Sequence, residues 1–212
     1  MTRVLLLRHG ESEWNADGRW QGQADPPLSE LGRAQAAEAA GAIGTVDAII
    51  TSDLQRAAET GVIIARLLGV DHVAENPGLR ERDAGPLSGL TRSEIHATFP
   101  GLLTDDPAGF RPGPDGTPDW PKGWEPDAHL LPRVEVALTA VAIAVPDGDV
   151  VVVSHGGVIY ALERRLGGPD RGRLSNLGGV TIDVAPDGTM SIGERVSLVV
   201  PSHTHPIEAD RI

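Results

Sequence analysis

Val4-Leu5-Leu6-Leu7-Arg8-His9-Gly10-Glu11-Ser12 opens the chain with an apolar run that delivers an arginine, a histidine and a glycine in immediate succession. A short apolar run bounded by glycine and serine reads as a strand buried on both faces. In open α/β sheets ligands bind beyond the carboxyl ends of the strands, and Arg8 and His9 fall there. A histidine held at such a point can be a nucleophile or a base, and a guanidinium beside it can grip an anion. Alone, the pair would merely end a strand. An echo far down the chain changes that reading. Val150-Val151-Val152-Val153-Ser154-His155-Gly156-Gly157 is again a buried strand ending in His-Gly, followed by an apolar helix-like segment from Val158 to Leu166. Two parallel strands, each with a histidine at its carboxyl end, would bring both rings into one crevice.

The intervening segments alternate between helix and strand patterns. Ser29 is a suitable N-cap for an Ala-rich helix running to about Ile43. Val46 to Ile50 reads as a buried strand, and Ser52 with Gln55 fits a capping box opening a helix to about Leu68. Arg56 lies off the apolar stripe of that helix, in a first turn suited to holding an anion. In isolation it is better explained as a surface arginine paired with Glu59. A short strand is expected at His72 to Ala74 and a helix from Thr91 to Thr98. Another helix is expected from Pro132 to Val145, with Pro132 in its first turn. Pro186-Asp187-Gly188 separates two final strands as a hairpin signal. This alternation predicts an α/β fold, a three-layer α/β/α sandwich with a mostly parallel central sheet. With no repeat and no linker, residues 1–212 read as one domain. Residues 100–127, rich in Pro, Gly and Asp, form an irregular lid-like insertion whose Trp120 and Trp124 are expected to pack the loop down.

The 212 residues suffice for one substantial core, and 40 % hydrophobic with 23 % charged content is ordinary for a globular protein. Cysteine is absent, which excludes disulfides and thiolate chemistry. A net charge of −12 argues against nucleic-acid or anionic-membrane partners. No run approaches the ~18 apolar residues of a membrane span, so a cytoplasmic location is the default expectation. His203 and His205 are taken as solvated. An anionic ligand would need a locally positive site inside this repelling exterior.

The expected topology supplies one. Arg8-His9, Arg56, the charged loop around Glu81 and His155 converge at the carboxyl edge of the sheet, and two arginines with two histidines suit a dianionic phosphate. No P-loop and no carboxylate cluster calls for a metal or another cofactor. The arginines and His155 could themselves stabilise the equatorial oxygens of a phosphoryl group in transfer.

Leu7-Arg8-His9-Gly10-Glu11-Ser12 with Trp14-Asn15 resembles the signature of the histidine phosphatase superfamily, which has the phosphoglycerate mutase-like fold. The likeness continues in Leu28-Ser29-Glu30-Leu31-Gly32-Arg33, in Ser52-Asp53-Leu54-Gln55-Arg56 through Thr60, in Leu79-Arg80-Glu81 with Gly85 and Gly89, and in Ser154-His155-Gly156-Gly157. Together, in order, these strings are highly specific. The resemblance implies that His9 is the nucleophile that becomes phosphorylated and that Arg8, Arg56 and His155 bind the transferring group, assisted by Asn15. It makes Glu81 the proton donor to the leaving alkoxide and then the base that activates water. Spacing alone does not choose between Glu81 and Asp83. Ser12 and Gly156, within the matched segments, and Gln21 and Gly22, in the long loop after the first strand, are further substrate-binding candidates.

Two features favour a phosphomonoesterase of small metabolites over a mutase. Arg19-Trp20-Gln21-Gly22 stands where mutases typically carry Thr-Gly-Trp, and the acid loop Glu81-Arg82-Asp83-Ala84-Gly85 lacks the His-Tyr pair usual in mutases. A mutase is the nearer alternative, and a non-catalytic phosphate-binding protein is one from a different class. Many phosphatases of this type have Gly-Glu-Ser at the end of the insertion. Here the match is Gly123-Trp124-Glu125-Pro126, so that phosphate contact is not carried over. Trp124, Lys122 and Arg82 are the candidates for substrate-selective contacts. Monomer and homodimer remain equally open.

Overall fold

The computed structural model describes residues 1–104, 119–169 and 171–200. Much of the expected lid, and His203 and His205, lie outside the described residues. Among the described residues six strands form one sheet: β1 (Thr2–Arg8), β2 (Ala48–Thr51), β3 (Val73–Glu75), β4 (Asp149–Ser154), β5 (Gly178–Val184) and β6 (Met190–Ser197), in the order β3-β2-β4-β1-β5-β6. The first four are mutually parallel, while β5 runs antiparallel to both β1 and β6. The sheet is therefore mixed, with a parallel half and a hairpin edge.

Helices cover both faces, and the period-2 alternation of the strands decides what each covers. Val4, Leu6, Val150 and Val152 point to one side, where they are fully buried against α5 (Asp127–Ala144) and α6 (Gly156–Arg165). Leu7, Val151, Val153 and Ile49 point to the other, against α2 (Glu30–Ala42) and α3 (Gln55–Leu68). Two central strands buried on both faces explain the unbroken apolar runs in the sequence. The short helices α1 (Glu13–Ala16) and α4 (Arg92–Thr98) and two 3₁₀ turns, at Pro77–Leu79 and Gly85–Leu87, lie in the connections.

Ser29 caps α2 as expected, its hydroxyl accepting from the Gly32 N–H at 3.0 Å. Two expectations are corrected. The Ser52–Gln55 capping box does not form. Leu54 is the N-cap of α3, and the Gln55 N–H donates instead to the Asp25 carboxylate at 2.8 Å. A loop distant in sequence thus satisfies this helix end. Helix α5 begins at Asp127, leaving Pro132 inside it. The missing proline N–H costs one hydrogen bond, but Leu130, in the turn before it, is fully buried against the sheet.

The turn after β1 is lashed to α2. The Glu11 N–H donates to the Gln35 side chain at 2.9 Å, and the Ser29 N–H donates to the Glu11 carbonyl at 2.9 Å. Gly32 makes this approach possible, because a Cβ there would sit 1.9 Å from the Glu11 carbonyl oxygen. Gly32→Ala should therefore lower unfolding free energy by about 1–3 kcal/mol in urea titrations. A gain of ~1 kcal/mol, as helix propensity alone would give, would show that α2 can shift at no cost.

Candidate active site

The register of β1 on β4 sets Arg8 opposite Ser154, and the His9 N–H donates to the Ser154 carbonyl at 3.0 Å. The residues immediately beyond each strand, His9 and His155, consequently face each other with ring centroids 5.2 Å apart. Both are buried, at 3 % and 0 % exposure. His9 Nδ1 lies 2.6 Å from the Gly10 carbonyl. A carbonyl only accepts, so Nδ1 carries the proton and Nε2 keeps its lone pair. The Arg56 Nε–H donates to that Nε2 at 3.2 Å, which fits the same tautomer.

Arg56 is not the surface arginine that isolated reading suggests. It is wholly buried, donating to the carbonyls of Gly22 and Ala24 at 2.9 and 2.8 Å, while Glu59 pairs with Arg33. The loop that Asp25 anchors to α3 thus supplies the acceptors that desolvation of a guanidinium requires. Burial lowers the Arg56 pKa to about 10, which leaves it cationic at neutral pH. Arg8 donates to the Leu174 carbonyl at 2.7 Å. The pKa of His9 is held well below its ordinary value by burial, reinforced by Arg56 and Arg8, and that of His155 by burial and by Arg56. Both ring nitrogens of His155 are buried without a protein partner.

The Glu81 carboxylate accepts from the Arg82 N–H at 2.7 Å and from the Gly157 N–H, in the first turn of α6, at 3.0 Å. A Cβ on Gly157 would lie 2.3 Å from the carboxylate, so the second glycine after His155 is needed for this approach. Arg133 straps the acid loop from behind, donating to the carbonyls of Gly78, Arg80 and Glu81 at 2.9, 2.7 and 3.0 Å.

A cavity of about 590 Å³ opens here, lined by Arg8, His9, Asn15, Gln21, Gly22, Arg56, Glu81, Arg82, Trp124 and Gly156 among others. Ser12, Lys122 and His155 do not line it; His155 lies fully buried beside His9. Ser12 is buried as the N-cap of α1, where its backbone N–H and hydroxyl both donate to Asn15 Oδ1. That commits the Asn15 oxygen and leaves its NH₂ for the cavity. Lys122 is exposed on the loop outside. Trp124 both lines the cavity and packs, stacked on Trp120 with centroids 3.9 Å apart and carrying the Arg82 guanidinium over its ring at 5.3 Å. Arg82 is also hydrogen-bonded to Asp127 and to the Glu125 carbonyl.

The segment before β5 escaped the sequence reading. Arg171 and Arg173 line the cavity, and the Asn176 side-chain amide donates to the His9 carbonyl at 3.0 Å. A search beyond the ends of parallel strands passes over it. Because β5 runs antiparallel to β1, its beginning lies at the edge where β1 ends. Among the described residues no group of His, Asp and Glu side chains could hold a metal ion, and no helix is long and apolar enough to cross a membrane.

The fold and the paired histidines define an α/β protein whose basic, enclosed site faces the carboxyl edge of its parallel strands. The family model for the histidine phosphatase superfamily (branch 1) matches residues 4–185, and the chain belongs to that family. It is 37 % identical over 169 residues to a metal-independent phosphoserine phosphatase of Arabidopsis thaliana, covering 78 % of this chain and 69 % of that one. It is 40 % identical over 168 residues to a probable phosphoglycerate mutase of Cronobacter sakazakii, covering 76 % and 73 %. A mycobacterial glucosyl-3-phosphoglycerate phosphatase solved with VO3 superposes with a TM-score of 0.76 at 29 % identity, covering 92 % of this chain and 99 % of that one.

The depressed histidine pKa values make a pH prediction. The unfolded chain binds these protons near pH 6.5 and the folded chain only well below it, so the unfolded state holds more protons on acidification. Stability present above pH 6.5 is lost as pH falls toward the folded-state values. Histidine ring resonances followed by NMR should show His9 and His155 still neutral at pH 6, and Tm should decline from there downward. Ordinary titration of both rings near 6.5 would contradict the desolvated site.

Proposed function

We propose that this chain hydrolyses small phosphomonoesters without a metal ion, through a phosphohistidine on His9. The observation that carries this reading is the His9 Nε2 lone pair, fixed by the Gly10 carbonyl behind the ring and aimed at buried cations. In this reading Arg8, Arg56, His155 and the Asn15 amide receive the equatorial oxygens of the phosphoryl group, supplying charge stabilisation in a water-poor cavity. As substrate enters, the hydrogen bond donated by the Arg56 Nε–H swings from His9 Nε2 to a phosphoryl oxygen, the proton staying on Arg56. Nε2 attacks phosphorus while the P–O ester bond breaks, and Glu81 gives its proton to the leaving alkoxide. The Gly10 carbonyl then faces the N–H of a positively charged phosphoimidazole. Glu81, now a carboxylate, takes a proton from water. That water attacks phosphorus, the P–N bond breaks with its electron pair returning to Nε2, and orthophosphate leaves.

Ser12 and Asn176 act at one remove, by holding Asn15 and the His9 backbone. Arg82 and Trp124 belong to the substrate-selective rim, and Lys122 is left outside it. We read the chain as one domain acting in the cytoplasm as a monomer or homodimer. Trp124, at the described end of the insertion, lines the cavity that receives the substrate in this reading. The identity to a probable phosphoglycerate mutase favours a second reading, in which the phosphoenzyme returns its group to an isomerised product.

Hydrolysis of an aryl phosphate in EDTA, with acid-quench trapping of the labelled protein, tests the reading. Wild type should turn over and carry label, and His9→Ala should do neither. Glu81→Gln should lower kcat about 10²–10⁴-fold on alkyl phosphates. Its defect in phosphoenzyme formation should shrink on p-nitrophenyl phosphate, whose leaving group needs no proton. With 3-phosphoglycerate, isomer appearing faster than free phosphate would favour the mutase reading.

A further inference from the structure

The cavity does not end at the phosphoryl clamp. Beyond Arg8 its wall includes Arg171, Gly172 and Arg173, and the segment from Arg171 to Leu174 is tethered by hydrogen bonds. The Arg195 guanidinium on β6 donates to the carbonyls of Arg171 and Gly172 at 3.1 and 2.8 Å. The Leu174 N–H donates to the Tyr160 hydroxyl at 2.7 Å, and the Leu174 carbonyl accepts from Arg8 at 2.7 Å. Arg173 sits between these tethers, lines the cavity, and has one guanidinium nitrogen that is buried with no hydrogen-bond partner.

A charge census separates Arg173 from its neighbours. Outer arginines of the cavity are matched by carboxylates: Arg82 by Asp127, Arg19 by Glu94, and Arg195, more distantly Arg171, by the buried Glu163. Arg8 and Arg173 have no ion pair among the described residues. Burial lowers the pKa of Arg8, and the nearby Arg173 cation adds to that lowering. Glu81 and Glu11 act favourably on the Arg8 cation, whereas in a chain of net charge −12 no carboxylate among the described residues pairs with Arg173. A guanidinium that lines the cavity with a buried, unpartnered nitrogen and no ion pair calls for a second anionic group in the occupant, beyond the phosphoryl group.

We propose that Arg173 forms a second anion subsite beside the phosphoryl clamp, and that the substrate is a phosphomonoester bearing a carboxylate within a few bonds of its ester. The proposal rests on the phosphoryl group lying at His9 as set out above. A carboxylate suits a single guanidinium that offers one buried nitrogen, whereas a second phosphate would need more donors than this wall presents. Arg195, Tyr160 and Glu163 are positioning residues for the loop.

The test measures binding without turnover, by calorimetry on His9→Ala protein. Its probes are two matched pairs that differ in the carboxylate: O-phosphoserine against phosphoethanolamine, and 3-phosphoglycerate against glycerol 1-phosphate. In at least one pair the carboxylate form should bind about 10- to 100-fold tighter. Adding Arg173→Ala should narrow that gap to within about twofold, and Arg173→Lys should restore part of it. Equal affinities within both pairs would overturn the subsite. So would a gap that Arg173→Ala leaves intact, or an equal weakening of both members, which would assign Arg173 to the clamp or to structure. Phosphate release by wild type is scored separately. Discrimination without hydrolysis would retire the phosphatase reading and keep the subsite.

Discussion

Everything in this site depends on one pairing, that of β1 with β4. Because they are parallel and in register from Arg3–Asp149 to Arg8–Ser154, the first residue beyond each strand lands at the same height. Two histidines separated by more than 140 positions in the chain thereby come into ring contact. Shifting that register by one residue would exchange the faces on which Leu6 and Leu7 are buried and unmake both cores. Hydrophobic burial on the two faces thus enforces the histidine pair more stringently than any contact within the site.

The site itself is a problem of desolvation. A buried guanidinium and two buried imidazoles are costly unless their donors and acceptors are met. The protein meets the Arg56 donors with backbone carbonyls of the 22–24 loop, and one nitrogen of His9 with Gly10. These carbonyls take the close hydrogen bonds, while the half-exposed Asp25 carboxylate pairs with Arg56 only at 3.9 Å, so much of the charge remains available to an incoming anion. The opposite arrangement serves the surroundings, where Arg82 and Arg195 on the rim and Arg133 behind the acid loop are paired with carboxylates and act as struts.

Much of this was legible in the sequence. The buried strands, the histidines at their ends, the stripe of α3 and the hairpin all follow from apolar periodicity and turn chemistry. The two-sided sandwich follows from their alternation. What was not legible depended on partners remote in the chain. Ser52 and Gln55 have the residue types of a capping box, but the Asp25 carboxylate competes successfully for the same N–H. Arg56 looks like a surface residue on its helical wheel because its acceptors come from a loop thirty positions earlier. Lys122 stood near the right tryptophan yet faces solvent, since its loop is fixed by Trp124 and Glu125 rather than by its own charge. The reversal of β5 hid the segment holding Arg173 and Asn176, because strand direction at a sheet edge is not written in periodicity.

That reversed strand has a consequence for how such a protein could diversify. Its leading loop reaches the site from the hairpin edge, outside the parallel half that carries both histidines. At first sight this makes the loop an interchangeable part. The Arg8–Leu174 hydrogen bond removes that freedom, since the Arg8 guanidinium takes its bearing from the backbone of the loop. Under the proposed function, recognition of the rest of a ligand and alignment of the phosphoryl group are therefore written on one segment. A lineage that rebuilds the loop for a new molecule must re-aim Arg8 in the same step.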